Sequence, residues 1–245
     1  LAFTANGRSH KEGENKTTVR NAILQLRKVQ TNDGCFGAKD EDLFVYNHAI
    51  ATTAMAEAYA LTTDRVLEPI LDFAVKFIVE AQNPGLGWRY GVRTTYNDSS
   101  VTGWMLLALH TATAAGIQVD TTKVHQGAFK WFDEVTAKVG ERWRTGYDTP
   151  GGNNARLRSA SDFDNNPTMD GIHGAVRLVL GKTEGADDKL ADFAKSIGEH
   201  PAKWEQAKLD YYYWFWAGMF LQQRSGKVLD PWWQATAEVL TKHQR

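Results

Sequence analysis

Apolar residues recur along most of this chain at helical spacing, and the helices they define are of two alternating kinds. From Arg65 to Gln82 the set Val66, Leu67, Ile70, Phe73, Ala74, Phe77, Ile78 and Ala81 falls on one stripe. Arg65, Glu68, Asp72, Lys76 and Glu80 lie opposite, the pattern of a helix with one wet face. Similar outer helices are predicted near residues 17–30, 121–137, 187–199 and 230–244. Between them stand Tyr46–Leu61, Ser99–Ile117, Thr168–Leu180 and Leu209–Gln223, rich in Ala, Thr, Gly and aromatic residues and poor in charge. Helices apolar nearly all round are buried ones. The alternation therefore predicts an all-α protein in two layers, an inner one wrapped by an outer one. No segment carries a strand pattern, and no linker divides residues 1–245 into separate domains.

The boundaries agree with this reading. Inner helices are expected to start at polar caps, at Asn47, at Asn97-Asp98-Ser99-Ser100 and at Asn166-Pro167-Thr168. Gly116 and Gly181 suit the left-handed position just past a helix end. Residues 146–166, rich in Gly, Asn, Ser and Arg, have no period and read as one long loop.

The outer helices also repeat in sequence. Ile23–Phe36 (ILQLRKVQTNDGCF) and Phe73–Trp88 (FAVKFIVEAQNPGLGW) each run into a Gln, a glycine turn and an aromatic residue. The pairs are Gln30 with Phe36 and Gln82 with Trp88, about 50 residues apart, a period proper to stacked supersecondary units. A drifted third copy runs from Phe129 to Trp143, with Lys138 near the place of the Gln; a fourth helix, Trp233–Gln244, leads to a Gln again.

Composition narrows the function without naming it. Lys plus Arg number 28 against 29 Asp plus Glu, so no global field favours nucleic acid. The longest apolar runs are too short to span a bilayer. A single cysteine, Cys35, excludes an internal disulfide and any multi-thiolate metal site, and no cofactor is expected. A phosphate loop and a G-x-S-x-G elbow are missing. His48, His110, His125, His173 and His200 lack metal-ligand spacing. Aromatics are the conspicuous excess, with 9 Trp, 8 Tyr and 11 Phe.

The Gln–Gly turn–aromatic element resembles the QW-type repeat of squalene-hopene cyclases and related prenyltransferase-repeat proteins. Gln30–Phe36 fits with Phe in place of Trp, and Gln82–Trp88 fits with its glycines displaced by one. YNHAIATTAMAEAYALT, SSVTGWMLLALHTATAAG and LDYYYWFWAGMFLQQ are similar to bacterial single-domain members of that group. The resemblance implies an α/α toroid of helical hairpins. It assigns Gln30, Phe36, Gln82 and Trp88 a stapling role between hairpins. Class II cyclases of the family protonate an alkene with the middle Asp of D-x-D-D. Asp162-Phe163-Asp164-Asn165 is the nearest segment, which would make Asp164 the acid and Asp162 its neighbour, with the last acid replaced by Asn.

A toroid would gather inner-helix N-termini at one mouth. The residues so placed are Tyr46, His48, Asp98, Asp170, Asp210, Tyr211 and Tyr212, with Trp104, His173 and Trp214 deeper. An aromatic funnel rimmed by polar groups suits a hydrophobic or ring-stacking small molecule, a terpenoid or a glycan. Three functions follow: a ligand-binding or interaction domain, a terpenoid cyclase-like enzyme, or a carbohydrate-active barrel with a carboxylate pair such as Asp98 with Asp170 or Asp210. The binding domain ranks first.

Finally, Leu1–Asn6 before Gly7 reads as the end of an inner helix with its cap, and Gln244 as a repeat Gln without its turn. The chain is therefore expected to be an excerpt with an incomplete ring, its flanks in contact with the rest of a longer polypeptide.

Overall fold

In a computed structural model, residues 1–41, 43–152, 166–205, 209–224 and 229–244 are described. Among them are nine helices: α1 (Lys16–Val29), α2 (Phe44–Thr62), α3 (Glu68–Ala81), α4 (Ser99–Ala114), α5 (Thr122–Glu134), α6 (Thr168–Val179), α7 (Asp187–Gly198), α8 (Tyr211–Gln222) and α9 (Leu229–His243). They alternate in kind as the sequence predicts. The protein is mostly helical and falls into two compact units, Leu1–Lys130 and Trp131–Arg245, with the boundary inside α5.

In the first unit α2 packs against α4, and α3 lies on both. Val45, His48, Ala49, Thr52, Met55 and Ala56 of α2 are buried, as is α4 from Ser99 to Leu109. Thr52 and Thr53 bond the carbonyls of His48 and Ala49, and Thr111 and Thr113 those of Leu107 and Leu109. Returning each hydroxyl to the carbonyl one turn back is how an inner helix carries threonine without burying an unsatisfied group.

The repeat Gln residues do one job twice. Gln30 Nε2 donates to the carbonyls of Gly34 (3.1 Å) and Ile70 (2.9 Å). Gln82 Nε2 donates to those of Leu86 (2.6 Å) and Val124 (2.9 Å). Each amide thus closes its own turn and ties the end of one outer helix to the next. The backbones meet closely there. Gly34 has φ +90°, and a Cβ on it would stand 2.1 Å from the Phe73 carbonyl oxygen. In the next copy the small residue sits on the helix: a Cβ on Gly127 would come 2.8 Å from the Leu86 oxygen. The aromatic of each repeat is core, with Phe36 and Trp88 buried and the Trp88 indole donating to the Ile78 carbonyl at 2.9 Å.

Helix ends repeat as well. Gly7, Gly116 and Gly181 all have positive φ. In each, the glycine and the residue after it cap the two carbonyls of the last turn: Gly7 N to Thr4 O and Arg8 N to Phe3 O, then Gly116 to Thr113 and Ile117 to Ala112, then Gly181 to Leu178 and Lys182 to Arg177. That is the Schellman motif. Residues 1–7 therefore close as α4 and α6 do, and Thr4 bonds Glu57 of α2 at 2.5 Å.

Three expectations need correction. The third repeat contains a strand pair that the sequence reading missed: β1 (Thr136–Val139) pairs antiparallel with β2 (Arg142–Thr145), and α5 stops at Glu134. Lys138, placed near the repeat Gln, faces Trp143 across this hairpin. Four-residue strands around a Glu-bearing turn are too short to show a period. Asn47 is not a cap, since α2 starts three residues earlier at Phe44. Asn166 is not one either: Pro167 precedes α6 with no side-chain cap. In this second unit α6 packs against α8, α7 lies on α6 and β2, and α9 contacts α8 and α7. Gly171 and Gly174 let α8 approach, facing Ala217 and Phe220.

Candidate functional site

At the inner-helix starts of the first unit, Asp98 is the N-cap of α4, accepting from Val101 N at 2.7 Å, and is wholly buried. The Tyr46 hydroxyl, on α2, donates to Ser100 Oγ at 2.8 Å and joins the two helix starts. Its ring lies 6.1 Å from that of Tyr90. Trp104, one turn deeper on α4, is buried.

His48 points the other way. Residues two apart on a helix diverge by about 200°, so His48 leaves the Tyr46 face for the outer layer. Its Nδ1 accepts from Phe36 N at 3.0 Å, which leaves Nε2–H to donate to the Ala74 carbonyl at 3.1 Å. Burial pushes its pKa down to about 4, against the Ala74 bond. Trp88 N meets Thr102 Oγ1 in the next repeat at 3.1 Å, so a threonine replaces the histidine as acceptor there. His48 is a neutral core fastener.

In the second unit, Asp170 and His173 lie on one face of α6 and grip β2. Asp170 accepts from Thr145 N at 2.7 Å. Burial lifts its carboxyl to about 7, opposed by that bond and by the Arg144 charge, and abetted by Asp192. His173 Nε2 accepts from Arg177 Nε at 2.6 Å, and Nδ1 lies 2.9 and 3.2 Å from the hydroxyls of Thr145 and Thr136. The arginine fixes the tautomer: Nδ1 carries the proton and donates to threonine oxygen. Burial, then the Arg177 and Lys189 charges, hold His173 far below the usual imidazole range. Arg177 reaches on to Asp133 at 2.7 Å, where Lys189 joins at 2.8 Å. This network was not predicted from sequence. Its one signal is Arg177 itself, a charge four residues after His173 in an inner helix.

Asp210 is the N-cap of α8, taking Tyr213 N at 2.9 Å on one oxygen and Asn166 Nδ2 at 2.9 Å on the other. Tyr211 is 53% exposed with its ring 5.0 Å from that of buried Trp214, and Tyr212 is partly buried with its ring 6.5 Å from that of Trp216. Asp162 and Asp164, the cyclase-type acids, lie outside the described residues. The structure therefore joins Tyr46 to the α4 start, and Asp170 to His173. Among the described residues no three His, Cys, Asp or Glu side chains could hold a metal ion, and no helix is long and apolar enough to cross a membrane. A shallow groove bordered by Glu68, Asp72, Lys76 and Asp120 contains none of the predicted residues. Cys35 is buried, and its thiol is pushed up to about 11 by burial, too high for a ready nucleophile.

Comparison with family models, with curated proteins and with solved structures finds no match.

Proposed function

We propose that the chain is a ligand-binding or interaction domain of the squalene-cyclase and prenyltransferase repeat type, with its hairpins arranged as in an α/α toroid. The paired hydrogen bonds of Gln30 and Gln82 support the repeat assignment, because they are the stapling role that the resemblance implies. One observation carries the binding reading over catalysis: the acids and histidines at the inner-helix starts are spent on the fold. Asp98 and Asp210 cap helices, and His48 and His173 hold neutral core bonds. The rings of Tyr46, partly exposed, and Tyr211, largely exposed, lie beside them as surfaces for stacking of a terpenoid or glycan.

The test is a thermal-shift screen of the purified chain against terpenoid and oligosaccharide collections. A ligand whose stabilisation is lost in Tyr46→Ala or Tyr211→Ala supports the proposal. Turnover of an isoprenoid substrate that disappears in Asp164→Asn overturns it in favour of a cyclase.

A further inference from the structure

Helix α1 is basic along its outer face. Lys16, Arg20, Arg27 and Lys28 are its only charged residues, and all four are exposed. Successive helical residues turn by about 100°, so Lys16, Arg20 and Arg27 fall within about 40° of one another, with Leu24 about 40° further round. Leu24 is 52% exposed, and the helix buries only Val19 and Ile23. Arg20 donates to the His10 carbonyl at 3.4 Å. The side chains of Lys16, Arg27 and Lys28 make no hydrogen bond or ion pair among the described residues. The nearest acids in sequence are Glu12 and Glu14, before the first turn, and Asp33, which is paired with Lys39.

The groove along α3 carries the complementary pattern. Its volume is about 510 Å³. Glu68, Asp72, Lys76 and Glu80 stand one turn apart along the helix, and Asp120 borders the groove from the turn between α4 and α5. Lys76 pairs with Glu80 at 3.7 Å, and the Lys123 charge is felt at Asp120. The side chains of Glu68 and Asp72 have no such partner among the described residues. Apolar groups line the space between, with Val75 and Ile117 buried and Val79 half-buried.

We infer that this groove is the seat for α1 of a second copy of the chain, so that the protein associates with itself through two unlike patches. Charge selects the occupant. Lys16 and Arg20 are one turn apart, as Glu68 and Asp72 are, about 6 Å along each helix. Leu24, beside the cations, supplies the apolar group that the valines and Ile117 call for. A polyamine would meet the acids and leave that floor uncovered, and the groove repels nucleic acid. Opposite charges steer the encounter, and molecules of net charge −1 scarcely repel one another as wholes. Donor and acceptor are different surfaces of one molecule, so the contact is head-to-tail and passes from copy to copy until a ring closes. The inference goes beyond ligand binding and uses neither Tyr46 nor Tyr211, so the two readings fail separately.

Sedimentation equilibrium of the full chain at about 0.3 mM and low salt should give a mass above the 27.4 kDa of one copy, falling toward it as salt rises. Glu68→Lys with Asp72→Lys reverses the groove, and Lys16→Glu with Arg27→Glu reverses the helix. All four side chains are exposed, and circular dichroism checks that both variants fold. Each variant alone should associate at least tenfold more weakly than the parent. Their equimolar mixture should recover association, because reversed helix fits reversed groove and each unaltered helix finds an unaltered groove. A parent that stays a monomer in low salt, a variant that associates like the parent, or a mixture that does not recover would overturn the inference. A monomeric parent whose groove takes spermidine or a lysine–leucine hexapeptide would overturn it in favour of another basic occupant.

Discussion

The side-chain amide of Gln30 donates to the carbonyl oxygen of Ile70, forty residues away, at 2.9 Å. Gln82 does the same to Val124 at 2.9 Å. Replacing either by alanine leaves two backbone carbonyls without their donor and should cost about 1–3 kcal/mol. The Gln30→Ala, Gln82→Ala double variant should lose nearly the sum, because the two amides share no partner. Urea unfolding of the four proteins measures this; a loss confined to one position would show that the repeats are not equivalent.

Gly34 and Gly7 provide a matched pair. Both have positive φ, but a Cβ on Gly34 collides with the Phe73 carbonyl, whereas one on Gly7 meets nothing within 4 Å. Gly7→Ala should therefore cost only the left-handed penalty, about 1–2 kcal/mol. Gly34→Ala adds a backbone clash and should exceed it by about 1–3 kcal/mol. Equal melting temperatures for the two variants would contradict the close approach of this turn to α3.

Asp170 should make the second unit less stable as pH rises. Its folded-state pKa of about 7 stands above the 3.8 of an aspartate in water. The contribution is whole below pH 4, where the carboxyl is protonated in both states, and is lost as pH rises through 7. Asp170→Asn keeps an oxygen for Thr145 N and cannot ionise. The stability of the variant minus that of the parent should therefore grow between pH 4 and 7 and level off above. A flat difference across that window would mean that the carboxyl titrates normally.

His48 acts in the opposite sense. Its folded-state pKa of about 4 lies below the 6.5 of a histidine in water, so its contribution is present above pH 6.5 and is lost as pH falls through 4. Nitrogen NMR should find the ring neutral and protonated on Nε2 at pH 5.5. A charged ring at that pH would contradict the bonds to Phe36 and Ala74.

Much of this architecture is legible in the sequence because helices leave periodic traces. The wet stripe of α3 and the charge-poor runs of α2 and α4 determine layer and order, and Gly116 and Gly181 mark two ends. What is illegible is local or long-range. The 136–145 hairpin is too short for a period. The facing of Tyr46 and His48 away from each other is a matter of 200° of helix rotation that a list of residues near a helix start overlooks. The bonds from Asn83 to Tyr96 and Asn97 are invisible because an asparagine after a helix end looks like any turn residue until its partners, more than ten residues on, are known.

The hairpin that stands where the third repeat Gln would be changes the kind of bond that links outer helices. From α1 to α3 and from α3 to α5 the link is a neutral amide on a carbonyl. From α5 and the hairpin to α7 it is made of charges: Asp133 with Lys189, Arg142 with Glu199 at 2.6 Å, and the Trp143 amide on Asp192. Neutral links are indifferent to dissolved ions, while half-exposed ion pairs are screened within about 10 Å at 0.1 M salt. Ionic strength thus acts on every bond of the link from α5 and the hairpin to α7, whereas between α1 and α3 it reaches the Lys11–Asp64 pair that joins the two helix entries and leaves the Gln30 amide in place.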